Sequence, residues 1–365
     1  MIRRPGRILR KRHKGRWRVL VTRRNVRPLA LLFLLFAYPA HASETAIADL
    51  FDSVNKSVVL IRTFEHTAIS RNGIAFVPVA DQGSGVLVSK SGDVLTAAHL
   101  VQVADVVRVR FAGGAEIGAK VITSDPAADL ALLRLDRVPE DALVAKMGNS
   151  DAVRVGQRAL VIGAPYGLSH TLTTGHISAR HAPGSPGMPH NLAEFFQSDI
   201  AINRGNSGGP MFNMNGEVIG VVSYILSQSG GFEGVGFAVT SNSIEELLLA
   251  NRPPWSGISV YNLDPSLAGI FNLPQEAGLL VQRVAQGSPG ERLGLSPSYL
   301  PAKIGKYQLM VGGDIILKVN GTPVGSVEAY RKIRQHIAGL KNGQTVTVEI
   351  LRQGQITTLS TVIQK

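Results

Sequence analysis

From about residue 53 to 240 the chain is a succession of short β-branched runs cut by glycine-rich turns. Ser57-Val-Val-Leu-Ile-Arg62, Gly85-Val-Leu-Val-Ser89, Val106-Val-Arg-Val-Arg-Phe111, Leu130-Ala-Leu-Leu-Arg-Leu135, Ala159-Leu-Val-Ile162 and Glu217-Val-Ile-Gly-Val-Val-Ser223 all have this texture. Many short strands at near-regular spacing indicate a sandwich or barrel rather than βαβ units. The first clear helical pattern, Ser243–Ala250, comes only after the last of these runs. It sets Ser243 as the expected N-cap and Glu246 at the capping-box position. Asn251-Arg-Pro-Pro254 then ends the helix and stiffens the connection.

Beyond that connection the pattern changes to a small α+β domain. Ile258–Tyr261 and Gly278–Val284 read as strands, and Ser288–Leu293 as a short helix closed by Gly294. Gly313–Gly321 reads as a strand ending in an Asn-Gly turn. Ser326–Leu340 carries Val327, Tyr330, Ile333, Ile337 and Leu340 at helical spacing. Thr345–Leu351 and Gln355–Ile363 close the domain as a hairpin.

Charge decides between partners. The chain has 38 Lys and Arg against 26 Asp and Glu. Residues 1–27 hold twelve of the basic side chains and no acid, so the remaining 26 basic residues balance the 26 acids. The body has no net field to draw it to phosphate or anionic lipid, which argues against a nucleic-acid role. After the basic stretch come a ten-residue apolar run, Leu29–Tyr38, and then Pro39-Ala-His-Ala42. This is the order of a secretory signal peptide, with cleavage expected after Ala42. The run is too short to cross ~30 Å of hydrocarbon. No later stretch is long and apolar enough either, so no stable membrane span is expected after cleavage.

With no cysteine, a disulfide scaffold, a thiolate zinc site and a cysteine nucleophile are all excluded. His170, His176, His181 and His190 precede the glycine-rich motif below, but their spacings fit no metal-ligand pattern, so no metal site is assigned. Gly83-Ser-Gly85 lacks the lysine of a phosphate loop and reads as a structural turn.

Three motifs carry chemistry: Thr96-Ala-Ala-His99, Asp125-Pro-Ala-Ala-Asp129-Leu-Ala-Leu-Leu133 and Gly205-Asn-Ser207-Gly-Gly-Pro210. A serine hydroxyl is a poor nucleophile at neutral pH. It needs a base to take its proton and a carboxylate to orient that base. Ser207, His99 and Asp129 fit those roles. The glycines around Ser207 let the N–H groups of Gly205 and Ser207 face a developing oxyanion, each donor worth about 3 kcal/mol of barrier. Asp125, before a proline, reads as a turn residue. This chemistry calls for no cofactor.

The motifs, in the order His, Asp, Ser, resemble trypsin-like serine proteases, and the wider match is to the HtrA/Deg branch. Gly83-Ser-Gly-Val86, Gly163-Ala-Pro-Tyr-Gly-Leu168, Gln197-Ser-Asp-Ile-Ala-Ile-Asn-Arg-Gly-Asn-Ser-Gly-Gly209 and Gly234-Val-Gly-Phe-Ala238 all look like that family. Two departures are visible: Ala97-Ala98 where the family usually has Asn-Asn, and Ser198 where Thr is common. The resemblance implies a mainly β, chymotrypsin-like double β-barrel followed by a PDZ domain. The expected divisions are a signal peptide at 1–42, a protease domain at 43–248, a linker at 249–255 and a PDZ domain at 256–365.

The implied activity is that of a periplasmic or secreted endopeptidase for unfolded or damaged envelope proteins. The alternative is a peptide-binding or chaperone protein in which the PDZ domain dominates and proteolysis is slight. Ala201, six residues before Ser207, stands where such enzymes floor the primary pocket. Flanked by Ile202 and without a carboxylate, it implies cleavage after small aliphatic residues. Trp255-Ser-Gly-Ile258 occupies the place of the loop that receives a peptide's terminal carboxylate, and the strand after it is expected to pair with that peptide. Ser256 replaces an apolar family residue, and Ser296–Met310 is inserted before Gly312-Gly-Asp314. Arg180–Ala193 reads as a flexible loop, which in the family senses the PDZ domain or its ligand. The family is commonly trimeric through its N-terminal segment, where Phe51 and Phe64 lie.

Overall fold

The computed structural model describes residues 42–70, 74–168, 170–185, 192–227 and 229–363. The expected signal segment, apart from Ala42, and His190 lie outside them. Two antiparallel barrels form the first two-thirds of the described chain. In the first, Val58–Ser70, Ile74–Leu87, Asp93–Thr96, Leu130–Leu135, Glu116–Asp125 and Val106–Phe111 pair in that order, and the last returns to the first. In the second, Pro210–Phe212, Arg158–Gly163, Thr171–His181, Phe195–Ser198, Gly236–Thr240 and Glu217–Ile225 do the same. Lys146–Met147 adds to Glu217–Ile225 as a parallel edge.

The residue pattern explains the closure. In Val106–Phe111 exposed and buried residues alternate, with Val107, Val109 and Phe111 turned inward. Leu130–Leu135 is buried at five of its six positions because it lies between the barrel interior and the second barrel. One apolar cluster fills each barrel, and a third, including Leu130, Leu132, Leu160, Phe195 and Phe212, joins them.

Several sequence expectations shift at the boundaries. A helix, Ala42–Val54, precedes the barrels and packs Leu50 and Phe51 on the joining cluster. The later helix starts at Ser241 rather than Ser243, with Thr240 at the N-cap position. Ser243 instead accepts the Glu194 N–H and the Thr240 hydroxyl, so its Oγ ties a neighbouring segment to the start of the helix. Gly83-Ser-Gly85 is not a turn but the inside of strand Ile74–Leu87. Arg180 and His181 belong to a strand, paired with Phe196 and Phe195, and Glu194 grips the Arg180 guanidinium through two bonds of 2.9 Å.

The C-terminal domain has a sheet in the order Ile258–Leu263, Gly278–Val284, Ile315–Val319, Thr345–Arg352, Gln355–Val362. Helix Val327–Gly339 is capped by Ser326, whose Oγ accepts the Ala329 N–H at 3.1 Å. Its apolar stripe divides. Ile333 and Ile337 pack on the sheet, whereas Val327 and Tyr330 pack on the cluster joining the barrels. The inserted segment forms a hairpin of its own, Leu300–Ile304 with Tyr307–Val311.

Asp125 does more than the turn residue the sequence suggests. It does cap its own turn, accepting from the Ala127 and Ala128 N–H groups. It is also fully buried and pairs with Arg334 at 2.7 Å and with the Tyr330 hydroxyl at 2.9 Å. Arg334 donates in addition to the Leu247 carbonyl. Burial first, then the Asp125 charge, pushes the Tyr330 phenol well above its ordinary pKa. This cluster fastens the helix to the barrels.

Candidate active site

The three candidate side chains come from three elements at the junction of the barrels. His99 lies on a single helical turn, Ala98–Val101, directly after strand Asp93–Thr96. Asp129 ends the turn before Leu130–Leu135 and adopts φ +52°, a left-handed conformation uncommon outside glycine. Ser207 sits in the loop before Pro210–Phe212.

His99 and Asp129 are joined three times. Nδ1 lies 3.0 Å from both carboxylate oxygens, and the His99 backbone N–H donates to Oδ1 at 3.0 Å. With Nδ1 so held, Nε2 is the nitrogen left for a partner. Partial withdrawal from water lowers the imidazole pKa, but the Asp129 hydrogen bond and charge, with a further contribution from Asp81, outweigh it and raise it overall.

Ser207 is tied to the same cluster through a residue the sequence reading did not single out. Its Oγ donates to the Ser223 carbonyl at 3.2 Å, and Ser223 Oγ donates to Asp129 Oδ2. Among the described residues no hydrogen bond runs from His99 to Ser207. Ser223 lies inside strand Glu217–Ile225, where the pairing with Gly236–Thr240 shifts register between Val222 and Ile225, and nothing in the sequence around it marks it.

The backbone around Ser207 is fixed by close approach. Gly208 has φ +80°, and a Cβ there would collide with Thr96 Oγ1 and the Ser84 carbonyl. Ser84 acts as the knot between barrels. Its N–H donates to the Ser207 carbonyl at 2.8 Å and its Oγ to the Gly205 carbonyl at 2.6 Å. The Arg204 carbonyl accepts the Tyr166 N–H at 2.8 Å. In a trans peptide the N–H points opposite to the carbonyl, so the Gly205 N–H faces away from Tyr166. Among the described residues no backbone carbonyl takes the N–H of Gly205 or Ser207. A cleft of about 410 Å³ opens beside Gly205, lined also by Arg62, Phe64, Asp81, Gln82, Tyr166 and Arg204.

Of the expected primary-pocket residues, Ala201 is exposed. Ile202 is buried and packed where a Cβ on Gly236 would meet it. The histidines disperse: His170 bonds Asn55, His181 bonds Gln197, and His176 lies 3.7 Å from Asp199. Among the described residues no three His, Asp or Glu side chains gather as a metal site.

Trp255, Ser256, Gly257 and Ile258, the residues expected to receive a peptide terminus, stand at the head of the edge strand Ile258–Leu263. They also touch the first barrel. Trp255 Nε1 donates to the Gln102 carbonyl, and Gln102 Nε2 donates to Ser256 Oγ and the Ile258 carbonyl, each at 2.9 Å. Gln102 follows directly on the helical turn that carries His99. An apolar cavity of about 270 Å³ lies along helix Val327–Gly339, lined by Val327, Tyr330, Ile333 and Leu279 and bounded by Ala127 and Leu192 of the barrels.

Residues 83–221 match the trypsin-like peptidase domain family, and residues 254–363 match the PDZ domain family. The chain belongs to the HtrA/Deg-type family of trypsin-like, PDZ-bearing proteases. A probable periplasmic serine endoprotease DegP-like from Marinomonas sp. (strain MWYL1) is 37% identical over 291 residues, 77% of this chain and 56% of that protein. A protein of the same description from Pseudomonas putida (strain F1) is 36% identical over 282 residues, 75% of this chain and 54% of that protein. The chain thus spans just over half the length of these relatives. Among solved structures, HtrA-type protease AlgWS227A with a decapeptide superposes with a TM-score of 0.53 and 28% identity, over 86% of this chain and 96% of that one.

Proposed function

We propose that this HtrA/Deg-type chain is a periplasmic serine endopeptidase that cleaves unfolded or damaged envelope polypeptides. In this reading residues 1–42 are an export signal, 43–248 the peptidase domain, 249–255 a linker and 256–365 the PDZ domain. The observation that carries it is the paired bonding of His99 Nδ1 to Asp129, with Ser207 linked to the same carboxylate through Ser223.

The geometry supports a stepwise acyl transfer. Ser207 Oγ is the nucleophile. In this mechanism Oγ exchanges the Ser223 carbonyl for His99 Nε2; such hydrogen bonds are often loose in resting enzymes and tighten when substrate binds. Oγ attacks the scissile carbonyl carbon while its proton passes to Nε2. Asp129 holds the tautomer and stabilises the imidazolium. The oxyanion is received by the N–H groups of Gly205 and Ser207. Nε2 then protonates the leaving amine, which departs with the C-terminal part of the substrate. Water repeats the sequence on the acyl-enzyme and frees Ser207. Ala201 and Ile202 favour a small aliphatic residue before the scissile bond. The PDZ domain grips C-terminal peptides through Trp255–Ile258. A homotrimer is part of this proposal; the exposed Phe64 is one surface available to it, and light scattering would report a monomer if it fails.

The alternative, a peptide-binding protein with slight proteolysis, draws on the Ser207 hydroxyl's bond to Ser223 in place of His99. Casein digestion separates the two. The mature chain is expected to degrade casein and the Ser207→Ala variant to lose about 10⁶ in turnover. Equal degradation by both proteins would dispose of the enzymatic reading.

A further inference from the structure

The peptide groups that lead into the nucleophile are anchored at their carbonyls. The Arg204 carbonyl accepts the Tyr166 N–H at 2.8 Å, the Gly205 carbonyl accepts Ser84 Oγ–H at 2.6 Å, and the Asn206 carbonyl accepts the Gly209 N–H at 2.9 Å. A peptide group is planar and rigid, so holding its carbonyl also aims the N–H at its other end. The first and last of these N–H groups, those of Gly205 and Ser207, are the ones assigned to the oxyanion. The middle carbonyl lies between them, on a glycine with φ +103° that has no side chain of its own to hold it.

Ser84 fixes that middle group from the other barrel. It is fully buried inside strand Ile74–Leu87. Its Oγ uses its one proton on the Gly205 carbonyl and accepts the Ala164 N–H at 2.9 Å. Ala164 leads into the turn Pro165–Gly167, which presents the Tyr166 N–H to Arg204. One hydroxyl therefore bears on both peptide groups of Gly205, directly on the one that follows it and through Ala164 on the one that precedes it. The Ser84 backbone serves the same centre. Its N–H donates to the Ser207 carbonyl at 2.8 Å, and its carbonyl accepts Thr96 Oγ1 at 2.8 Å from the strand that leads to His99. Gly163 leaves room for the hydroxyl: a Cβ there would stand 3.0 Å from Ser84 Oγ.

We propose that Ser84 is a positioning residue for the oxyanion site, its hydroxyl holding the Gly205 N–H in the direction that meets the negative oxygen. This role rests on the acyl-transfer reading above. Being wholly buried, Ser84 touches no substrate, and its Oγ bonds only backbone groups, so the proton relay does not pass through it. Alanine at this position removes one oxygen and little else. The loss belongs where charge develops, not where substrate docks.

The test uses the full mature chain, a peptide that the parent cleaves, and the aldehyde of that peptide's acyl half. Ser207 Oγ adds to the aldehyde carbon, its proton passes to His99 Nε2 and the carbonyl oxygen becomes the oxyanion, so the aldehyde reports on the site without turnover. Ser84→Ala is expected to lower kcat and to weaken the aldehyde in parallel, each by about tenfold or more. Affinity for the uncleaved peptide, read by anisotropy in Ser207→Ala chains with and without Ser84→Ala, should change less than about twofold. The acid limb of the pH–rate profile should stay where the parent has it. Unchanged kcat, equal loss of peptide and aldehyde affinity, or a displaced acid limb would overturn the role. If Ser84→Ala does not fold, Ser84→Cys, which keeps only a weak donor at the same place, carries the same readouts. An active parent matched by its variant refutes this role alone. A parent that cleaves no peptide and binds no aldehyde refutes the acyl-transfer reading and this role with it.

Discussion

Two aspartates four residues apart in one turn serve different seams. Asp129 stands where the two barrels meet, with its side chain 21% exposed and its bonds directed to His99 and Ser223. Asp125 stands where the first barrel meets the PDZ helix, wholly buried against Arg334 and Tyr330. Both are held by hydrogen bonds, but in different surroundings. A half-wet carboxylate beside an imidazole changes the chemistry of its partner and adds little to folding. A dry carboxylate beside a guanidinium has no role in proton transfer, yet its removal strands a buried charge. On the proposed mechanism polarity at the first seam is functional, whereas at the second it joins domains.

The largest expected effect falls at the first seam alone. His99→Ala should reduce casein turnover by about 10⁶ and leave the urea midpoint near that of the parent; a variant that unfolds instead would erase the distinction between the seams. Asp129→Asn should cost about 10⁴ in turnover, again with little change in stability. The same variant sharpens the electrostatics. Asp129 raises the His99 pKa, and catalysis needs the neutral imidazole. The acid limb of the pH–rate profile should therefore lie above the ordinary histidine range and fall to lower pH in Asp129→Asn. For folding the sign is the opposite. Protonated His99 stabilises the native state below the unfolded pKa, and this contribution is lost as pH rises through the raised native value.

Asp125→Ala should show the converse. Leaving Arg334 buried without its partner is expected to cost about 3–5 kcal/mol in urea unfolding, with turnover of the folded fraction changed only a few-fold. Loss of turnover on the scale of Asp129→Asn would place both aspartates in the catalytic apparatus. The smallest effect is expected for Ser223→Ala. It removes one hydrogen bond to a charged carboxylate, worth about 1.5–3 kcal/mol, and turnover should fall by about ten- to a hundredfold. An unchanged rate would mean that the bridge between Asp129 and Ser207 is incidental.

The two seams were not equally legible in the sequence. His99, Asp129 and Ser207 lie in short motifs whose glycines and following apolar runs set the local backbone, so the motifs point to their positions. The alternation in Val106–Phe111 and the Asn320-Gly321 turn were equally local, and a strand of the first barrel and a hairpin of the C-terminal domain followed from them. Ser223 carried no such mark, because a serine in a strand looks the same whether or not its hydroxyl reaches a carboxylate. Asp125 and Arg334 lie 209 positions apart, and the contact depends on how two domains pack. Nor did the division of the helix stripe show in its spacing. Val327 and Ile333 have the same chemistry and the same periodicity, and only the presence of a second domain separates them.

The central claim is that Ser207 is made nucleophilic by the His99–Asp129 pair. Reaction of the mature chain with a fluorophosphonate, followed by peptide mass spectrometry, measures this without any choice of substrate. One adduct per chain is expected, on Ser207, and none when His99 is replaced by alanine. A chain that stays unmodified, or that is labelled at another serine, would contradict the claim.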